Sequence, residues 1–207
     1  ARRMTEDHEF SNIEYAQADI MELGTLGRRF DLIECSGVLH HLGDPVAGWR
    51  VLVDLLQPGG LMKIGLYSET GRQDIIRARA LIAEQGYTTS AEDIRRCRQD
   101  IIAMAEGGNR KMADICNGND FYGLSECRDL LFHVQEHRFT LPQIEAALES
   151  LELKFLGFEV RDEKLLGKFK QSHPNNNDFT SLPLWHQFEL ENPNMFRGMY
   201  QFWCQKK

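Results

Sequence analysis

The sequence lacks any apolar run close to the roughly 20 residues that a membrane-spanning helix needs, and it begins without the apolar core of a secretory signal. Its five cysteines are scattered and include no Cys-x-x-Cys pair, which argues against a disulfide framework or a zinc site. Excess positive charge is also missing, since the formal net charge is −7. No general attraction to nucleic acid or to anionic membranes is therefore expected. These absences predict a cytoplasmic protein that acts on small molecules or on proteins.

What is present is enough hydrophobic sequence, 42% of 207 residues, for one domain with a sizeable core, or for one domain with an insertion. The most informative part is residues 30–69. Short apolar runs at 31–35 and 61–67 predict buried strands, and between them Asp44 and Pro45 are typical of a helix start. Pro-Gly-Gly at 58–60 predicts the end of that helix. A strand, a helix and a strand form a βαβ unit, whose right-handed crossover implies a parallel sheet that binds ligands at the carboxyl ends of its strands.

The amino-acid sequence of this unit resembles that of a known family. Residues 30–42, FDLIECSGVLHHL, together with 56–64, LQPGGLMKI, resemble the fourth motif, the next helix and the fifth strand of class I S-adenosylmethionine-dependent methyltransferases. Residues 12–20, NIEYAQADI, resemble more weakly that family's third strand with its terminal Asp. The resemblance implies S-adenosylmethionine as cofactor, an unidentified methyl acceptor, and a Rossmann-like α/β sheet with strand order 3-2-1-4-5-7-6.

The resemblance also implies that part of the family's sheet is missing. The Gly-rich loop that carries the methyl donor follows the family's first strand, and no such loop occurs in this sequence. Residues 1–7 resemble the end of the family's second helix. The expectation is therefore an incomplete sheet in a fragment of a longer protein. Because this fragment lacks most of the donor-binding loop, it is expected to be inactive by itself, with methyltransferase activity in the full-length protein. Displaced or intermolecular pairing is expected around residues 10–20, with a possible homo-oligomer through the unpaired strand edge. The wider layout resembles bacterial methyltransferases joined to tetratricopeptide repeats.

After the βαβ unit the sequence becomes helical and then returns to a strand pattern. This change divides the chain into a partial methyltransferase core at 1–71, a helical cap insertion at 72–137 that covers the acceptor pocket by resemblance, and the carboxyl-terminal part of the core at 138–207. The periodicity and the turn residues predict the following elements: helices at 74–85, 94–106 and 126–137 with a loop at 116–123, then a helix at 141–151, a strand at 153–160, a surface loop at 164–183, a helix at 184–190 and a closing antiparallel strand at 199–205.

Four residues are candidates for cofactor binding. By resemblance, Asp19 and the neighbouring Ile20 lie beside the adenine of the donor, where a carboxylate can accept the hydrogens of the amino group. A helix cap for Asp19 and a core role for Ile20 are the alternatives. Ser36 and Gly37 follow the fourth strand of the family, and glycine permits close approach of a ligand to the backbone. An ordinary strand-to-loop turn explains the same two residues.

The acceptor side of the expected site contains two histidines and two residues of the next strand end. His40 or His41 is a candidate catalytic base, because a histidine at the pocket mouth can remove a proton from an acceptor hydroxyl or amine. Capping of the following helix is the alternative for both. Tyr67 and Glu69 are candidates for contact with the acceptor, or for holding the cap in place.

Two further interpretations compete with the methyltransferase. The first is a non-catalytic binding or oligomerisation module built on the same fold. The second is a metal-dependent hydrolase, because His133, Glu136 and His137 satisfy the pattern His-x-x-Glu-His. On a helix, two histidines four residues apart lie on one side and can share a metal ion, with the glutamate as base. No third ligand is identified downstream, so no metal is assigned.

Overall fold

The computed structural model describes residues 10–160, 162–174 and 179–207. Within these residues a four-stranded sheet has the order β1-β2-β4-β3. β1 and β2 are parallel, whereas β4 is antiparallel to both β2 and β3. This arrangement equals the 4-5-7-6 portion of the strand order that the resemblance implies, and it confirms the α/β fold class. The strands are β1, Phe30–Ser36; β2, Leu56–Leu66; β3, Leu153–Phe158; and β4, Tyr200–Lys206.

The predicted βαβ unit is present, with α1 spanning Pro45–Asp54 between the parallel strands. The Asp44 carboxylate accepts hydrogen bonds from the backbone of Val46 and Ala47, both at 3.0 Å, which confirms the predicted cap. The predicted end of this helix was wrong. α1 ends at Asp54, and Leu56, expected on the helix, already pairs with Phe30 as the first residue of β2. Residues 58–60 therefore lie inside the strand.

The predicted closing strand is present as β4 and pairs with β3 in antiparallel orientation. Gly157 pairs with Trp203 and Phe158 pairs with Phe202. Phe202 is fully buried and packs against the rings of Trp49 and Phe155. These contacts join the βαβ unit, which contains β1 and β2, to the remaining strands β3 and β4.

Four helices follow the βαβ unit. Gly86, with φ of 69°, ends the first of them as predicted, and the hydroxyl of Ser90 accepts a hydrogen bond from Asp93 at the start of the second. The third was not predicted and is capped by Asn109. The fourth was predicted too long and with Ser125 as its cap, whereas Ser125 lies inside its first turn. The helices are α2, Gln73–Gln85; α3, Ala91–Glu106; α4, Arg110–Cys116; and α5, Leu124–Phe132.

Three more helices accompany the closing strands. α6, Leu141–Ser150, begins with the predicted capping box, in which Thr140 and Gln143 bond to each other's backbone. α7, Glu163–Ser172, corrects the prediction of a surface loop over 164–183. Its apolar face includes the fully buried Phe169, which stacks on Trp185. The Trp185 ring belongs to α8, Leu182–Glu191, which is longer than predicted. The Asn-rich part of the predicted loop, 175–178, lies outside the described residues.

The buried apolar residues form two clusters. The larger one joins the sheet to α1, α6, α7 and α8, and the smaller one lies among α2, α3, α4 and α5. The boundaries predicted at 71 and 137 remain a prediction. None of the helices that the structure describes combines the length and apolar character that crossing a membrane requires.

The weakly matched third strand does not form. Residues 12–18 are irregular and exposed, and a 3-10 helix, Ile20–Leu26, follows them. Among the described residues β1 therefore pairs only with β2, which leaves its other edge without a strand. A strand needs a hydrogen-bonding partner to be stable, and no described strand offers one to this segment. The expected helix end at residues 1–7 lies outside the described part of the chain.

Candidate functional site

The carboxyl ends of β1 and β2 meet at one edge of the sheet, where Ser36 pairs in register with Gly65. A side chain at Gly65 would come within 2.9 Å of Ser36 and 2.8 Å of the sulfur of Met199, so glycine is required there. Gly37 turns the chain with φ of 77°, a conformation that favours glycine. The hydroxyl of Ser36 is buried and has no hydrogen-bond partner in the described protein. A tight turn beside an unpartnered hydroxyl fits a ligand that approaches the backbone closely.

The two candidates beside the adenine lie at the start of the 3-10 helix. One carboxylate oxygen of Asp19 accepts a hydrogen bond from the backbone of Met21 at 2.9 Å, so the residue is a helix cap in this structure. The side chain is exposed and its other oxygen bonds to none of the described residues. Ile20 is partly buried and packs against the main core. Both alternatives from the sequence are thus observed, while their roles toward a cofactor remain predictions.

His40 is fully buried, and neither ring nitrogen makes a hydrogen bond with the described residues. Its ring stacks on Tyr67, with 3.8 Å between the ring centroids. Burial, with smaller contributions from the neighbouring His41, Arg72 and His133, lowers the pKa of His40 to about 3. The imidazole is therefore neutral at pH 7 and is a weak base that an acceptor cannot reach. This geometry favours a supporting role over the catalytic role predicted from the sequence.

His41 is only partly buried, and its Nδ1 lies 2.9 Å from the carbonyl oxygen of Gln135. That contact holds the ring. The ring of His133 lies alongside, with 4.0 Å between centroids. Of the two predicted catalytic histidines, His41 is thus the one that is not fully buried.

Tyr67 lines a large open cavity of about 1050 Å³. Residues of both buried clusters contribute to its wall, including Ile75 from the helical part and Val160 from the sheet side. Met199 belongs to the same wall, and its terminal methyl lies 3.9 Å from the position that a Cβ at Gly37 would take. The Ser36–Gly37 turn and the cavity are therefore adjacent, with Met199 between them.

Ser68 holds the loop that carries Tyr67 and Glu69 through buried hydrogen bonds. The buried Ser68 hydroxyl lies 2.8 Å from the Glu189 carboxylate and 3.0 Å from the Tyr200 hydroxyl, and it accepts a hydrogen bond from the backbone of Gly71. Burial raises the pKa of Glu189, and its hydrogen bonds with Tyr200 and Ser68 oppose this shift. The predicted acceptor residue Glu69 makes an ion pair with Arg138 at 2.8 Å. Its role toward an acceptor remains a prediction.

The helical basis of the metal-site interpretation was wrong. α5 ends at Phe132, so His133, Glu136 and His137 lie on an extended segment and not on one side of a helix. The Glu136 carboxylate is paired with three arginines, and within the described ranges no three His, Cys, Asp or Glu side chains are grouped to hold a metal ion. The residues that satisfied the short pattern are thus committed to other contacts.

Sequence reasoning missed three contributors to this region: Arg72, Glu136 in its ion pairs, and Met199. Arg72 is 3% exposed and lies over the Tyr67 ring at 3.6 Å. No local pattern pointed to it, because its partners are 5 and 64 positions away in the sequence. Only the return of segment 133–138 to the sheet edge brings these groups together.

Comparison with known proteins gives a match to a family model described as a methyltransferase domain, over residues 1–62. A protein of Synechococcus sp. described as uncharacterized is 30% identical over 192 residues, which cover 86% of this chain and 44% of that protein. The structure of PKMT2 from Rickettsia typhi matches with a TM-score of 0.73 at 15% identity, over 100% of this chain and 41% of the other. A second structure of PKMT2, in complex with AdoHcy, matches with a TM-score of 0.71 at 16% identity, over 98% and 40%.

Residues 1–62 thus match a methyltransferase domain, and the whole chain shares the fold of PKMT2. The resemblance carried by residues 30–64 is thereby confirmed. The chain spans less than half the length of the relatives that it matches.

Proposed function

We propose that the chain forms part of an S-adenosylmethionine-dependent methyltransferase and supplies the acceptor side of its active site. The observation that carries this proposal is the shared sheet edge, where the Ser36–Gly37 turn and the cavity lined by Tyr67 are adjacent across Met199. Transfer of a methyl group requires donor and acceptor to be held side by side, and positioning accounts for much of the rate enhancement. The acceptor is a small molecule or a protein side chain.

S-adenosylmethionine, when bound, supplies a methyl group on a positively charged sulfur that a nucleophile can attack directly. The residues of this chain that fit the cofactor are those at the end of β1: the unpartnered Ser36 hydroxyl and the open turn at Gly37. The second carboxylate oxygen of Asp19, which bonds to none of the described residues, is suited to the amino group of an adenine. The AdoHcy bound to PKMT2 supports this cofactor class, because AdoHcy is the product that the donor leaves after transfer.

On the acceptor side, Tyr67 lines the cavity. Burial raises the pKa of Tyr67, so the hydroxyl stays protonated at neutral pH and can donate to an acceptor atom. His41 is the candidate base of the two histidines, since it is only partly buried and its Nδ1 is held by the Gln135 carbonyl, although it is not one of the residues that line the cavity.

The test is a calorimetric titration of S-adenosylmethionine into this chain and into the longer Synechococcus relative. Gly37→Ala is the diagnostic variant and Gly86→Ala its matched control, because both glycines have a positive φ, 77° and 69°, but only Gly37 lies at the site. We expect Gly37→Ala to weaken binding and Gly86→Ala to leave it unchanged. Absence of binding by both proteins would reject the proposal. Binding by the relative alone would reject a self-sufficient cofactor site in this chain.

One observation supports the alternative of an assembly module. Leu32, in the middle of β1, is 54% exposed at the strand edge that no described strand covers. An exposed apolar edge strand favours pairing with another chain, here a second copy. This homo-oligomer is compatible with methyl transfer, and sedimentation of the purified chain over a range of concentrations tests it.

A further inference from the structure

The ring of Tyr67 is sandwiched between two side chains. The neutral imidazole of His40 stacks on it with 3.8 Å between centroids and an angle of 26° between the planes. The guanidinium carbon of Arg72 lies 3.6 Å from the centroid of the same ring. A planar guanidinium stacks well on an aromatic ring, whereas a lysine ammonium offers no such plane. His40 and Arg72 therefore hold the ring of Tyr67, a residue that lines the cavity.

The guanidinium of Arg72 is almost fully buried, and its charge needs a partner there. Leaving a buried charge unpaired is strongly destabilising, by about 3–5 kcal/mol in general. The carboxylate of Glu136 is the one described acidic group that pairs with Arg72, at 3.1 Å, and its own side chain is 1% exposed. The other two arginines near Glu136 have further partners, since Arg79 donates to the His133 carbonyl and Arg138 pairs with Glu69.

The segment that carries Glu136, residues 133–138, is itself held against the sheet edge. The backbone of His137 donates to the carbonyl of His40 at 2.8 Å, and the carbonyl of Gln135 contacts His41. These contacts depend on one another. The backbone of His40 binds the segment 133–138, which carries Glu136. Glu136 pairs with Arg72, and Arg72 packs the Tyr67 ring against the ring of His40. Fixing one member constrains the others.

We propose that Glu136 and Arg72 are positioning residues that fix the Tyr67 ring at the wall of the acceptor cavity. This inference rests on the proposed function for its meaning in catalysis, because the cavity is the proposed acceptor site. The statement that Glu136 and Arg72 fix the position of the Tyr67 ring does not depend on methyl transfer. The glutamate of the pattern at 133–137, which resembled a metal site, thereby has a different role: it forms an ion pair with Arg72.

The test uses Glu136→Gln, which removes the charge and keeps the shape, and Glu136→Asp, which keeps the charge. Glu84→Gln, at an exposed position of α2, is the matched control for loss of one carboxylate. Side-chain NMR signals report the arrangement, because protons of Arg72 above the Tyr67 ring are shifted upfield by the ring current. The chain has five tyrosines, and the ring signals of Tyr67 are assigned as those that disappear in Tyr67→Phe.

We expect the upfield shift of Arg72 to be lost in Glu136→Gln, largely retained in Glu136→Asp and unchanged in Glu84→Gln, in proteins that all show a cooperative thermal transition. An unchanged Arg72 shift in folded Glu136→Gln would overturn the proposal. If Glu136→Gln does not fold, Arg72→Lys replaces it: changed Tyr67 ring signals support the proposal, and ring signals identical to those of the unsubstituted chain overturn it. Titration of the unsubstituted chain with S-adenosylmethionine judges the proposed function separately, since the Arg72 shift is measured without cofactor.

Discussion

Replacement of Glu189 tests whether the buried network beneath the candidate site holds the loop that carries Tyr67. Glu189 accepts a hydrogen bond from the Tyr200 hydroxyl at 2.7 Å and lies 2.8 Å from the Ser68 hydroxyl. Its second oxygen is buried without a partner among the described residues. In Glu189→Gln the amide oxygen keeps both hydroxyl contacts, and the amide nitrogen takes the place of the unpartnered oxygen. In Glu189→Leu each hydroxyl proton has only the other hydroxyl as an acceptor among the described contacts of this network.

Two hydroxyls that face each other satisfy one donated hydrogen and leave the second without an acceptor. One buried unsatisfied donor costs about 1–3 kcal/mol. We therefore expect Glu189→Leu to be less stable than Glu189→Gln by about 1–3 kcal/mol, measured by urea denaturation at pH 7. Because both variants are uncharged, the comparison is free of the ionisation of Glu189. Equal stability of the two variants, or a more stable leucine variant, would refute the network.

Comparison of the unsubstituted chain with Glu189→Gln also predicts that the free energy of unfolding depends on pH. Burial raises the pKa of Glu189 above its ordinary value of 4.5, so the folded chain favours the protonated carboxyl. The stability that this preference provides is complete below pH 4.5 and is lost as the pH rises through the folded pKa. The unsubstituted chain should thus lose stability relative to Glu189→Gln over this interval. A constant difference between the two proteins across it would show that Glu189 does not titrate abnormally.

Three further predictions concern the frame around the site. Thr140→Ala removes the capping box of α6 and should lower the free energy of unfolding by about 1 kcal/mol, whereas an unchanged urea midpoint would argue against the cap. Gly86→Ala meets no neighbouring atom but forces a residue with a Cβ to φ of 69°, so a loss of about 1 kcal/mol is expected in thermal unfolding, and a gain would contradict it. Leu32→Lys should shift any dimer seen by sedimentation toward monomer, and an unaffected dimer would place its interface elsewhere.

The central part of the fold could be predicted because its signals are local. The cap at Asp44 and the capping box at Thr140 follow from residue types at short spacing, and both are observed. The family resemblance of residues 30–64 supplied the sheet order. Sequence and structure agree where local preference and tertiary packing favour the same conformation.

The errors arose where tertiary packing decides. Residues 163–172 are rich in polar and charged side chains, yet they form a helix because Phe169 finds an aromatic pocket on α8. Residues 133–137 follow a helical pattern but are drawn into an extended course by backbone bonds to the sheet edge. The segment 13–18 has the composition of a strand without a described strand beside it.

The candidate site was predictable in its location but not in its internal contacts. The carboxyl ends of parallel strands identified the region of Ser36, Gly37, His41 and Tyr67. The burial of His40 could not be predicted, since adjacent histidines in a loop give no indication of which ring packs under an aromatic neighbour.

The most direct test of the central claim is an amide NMR titration of the chain with S-adenosylmethionine. The account predicts that the signals of Ser36, Gly37 and Gly65 shift in a saturable manner, while those of Lys154, on the far strand β3, stay in place. Saturable shifts confined to residues away from the ends of β1 and β2, or no shifts at all at millimolar cofactor, would contradict a donor site at this edge of the sheet.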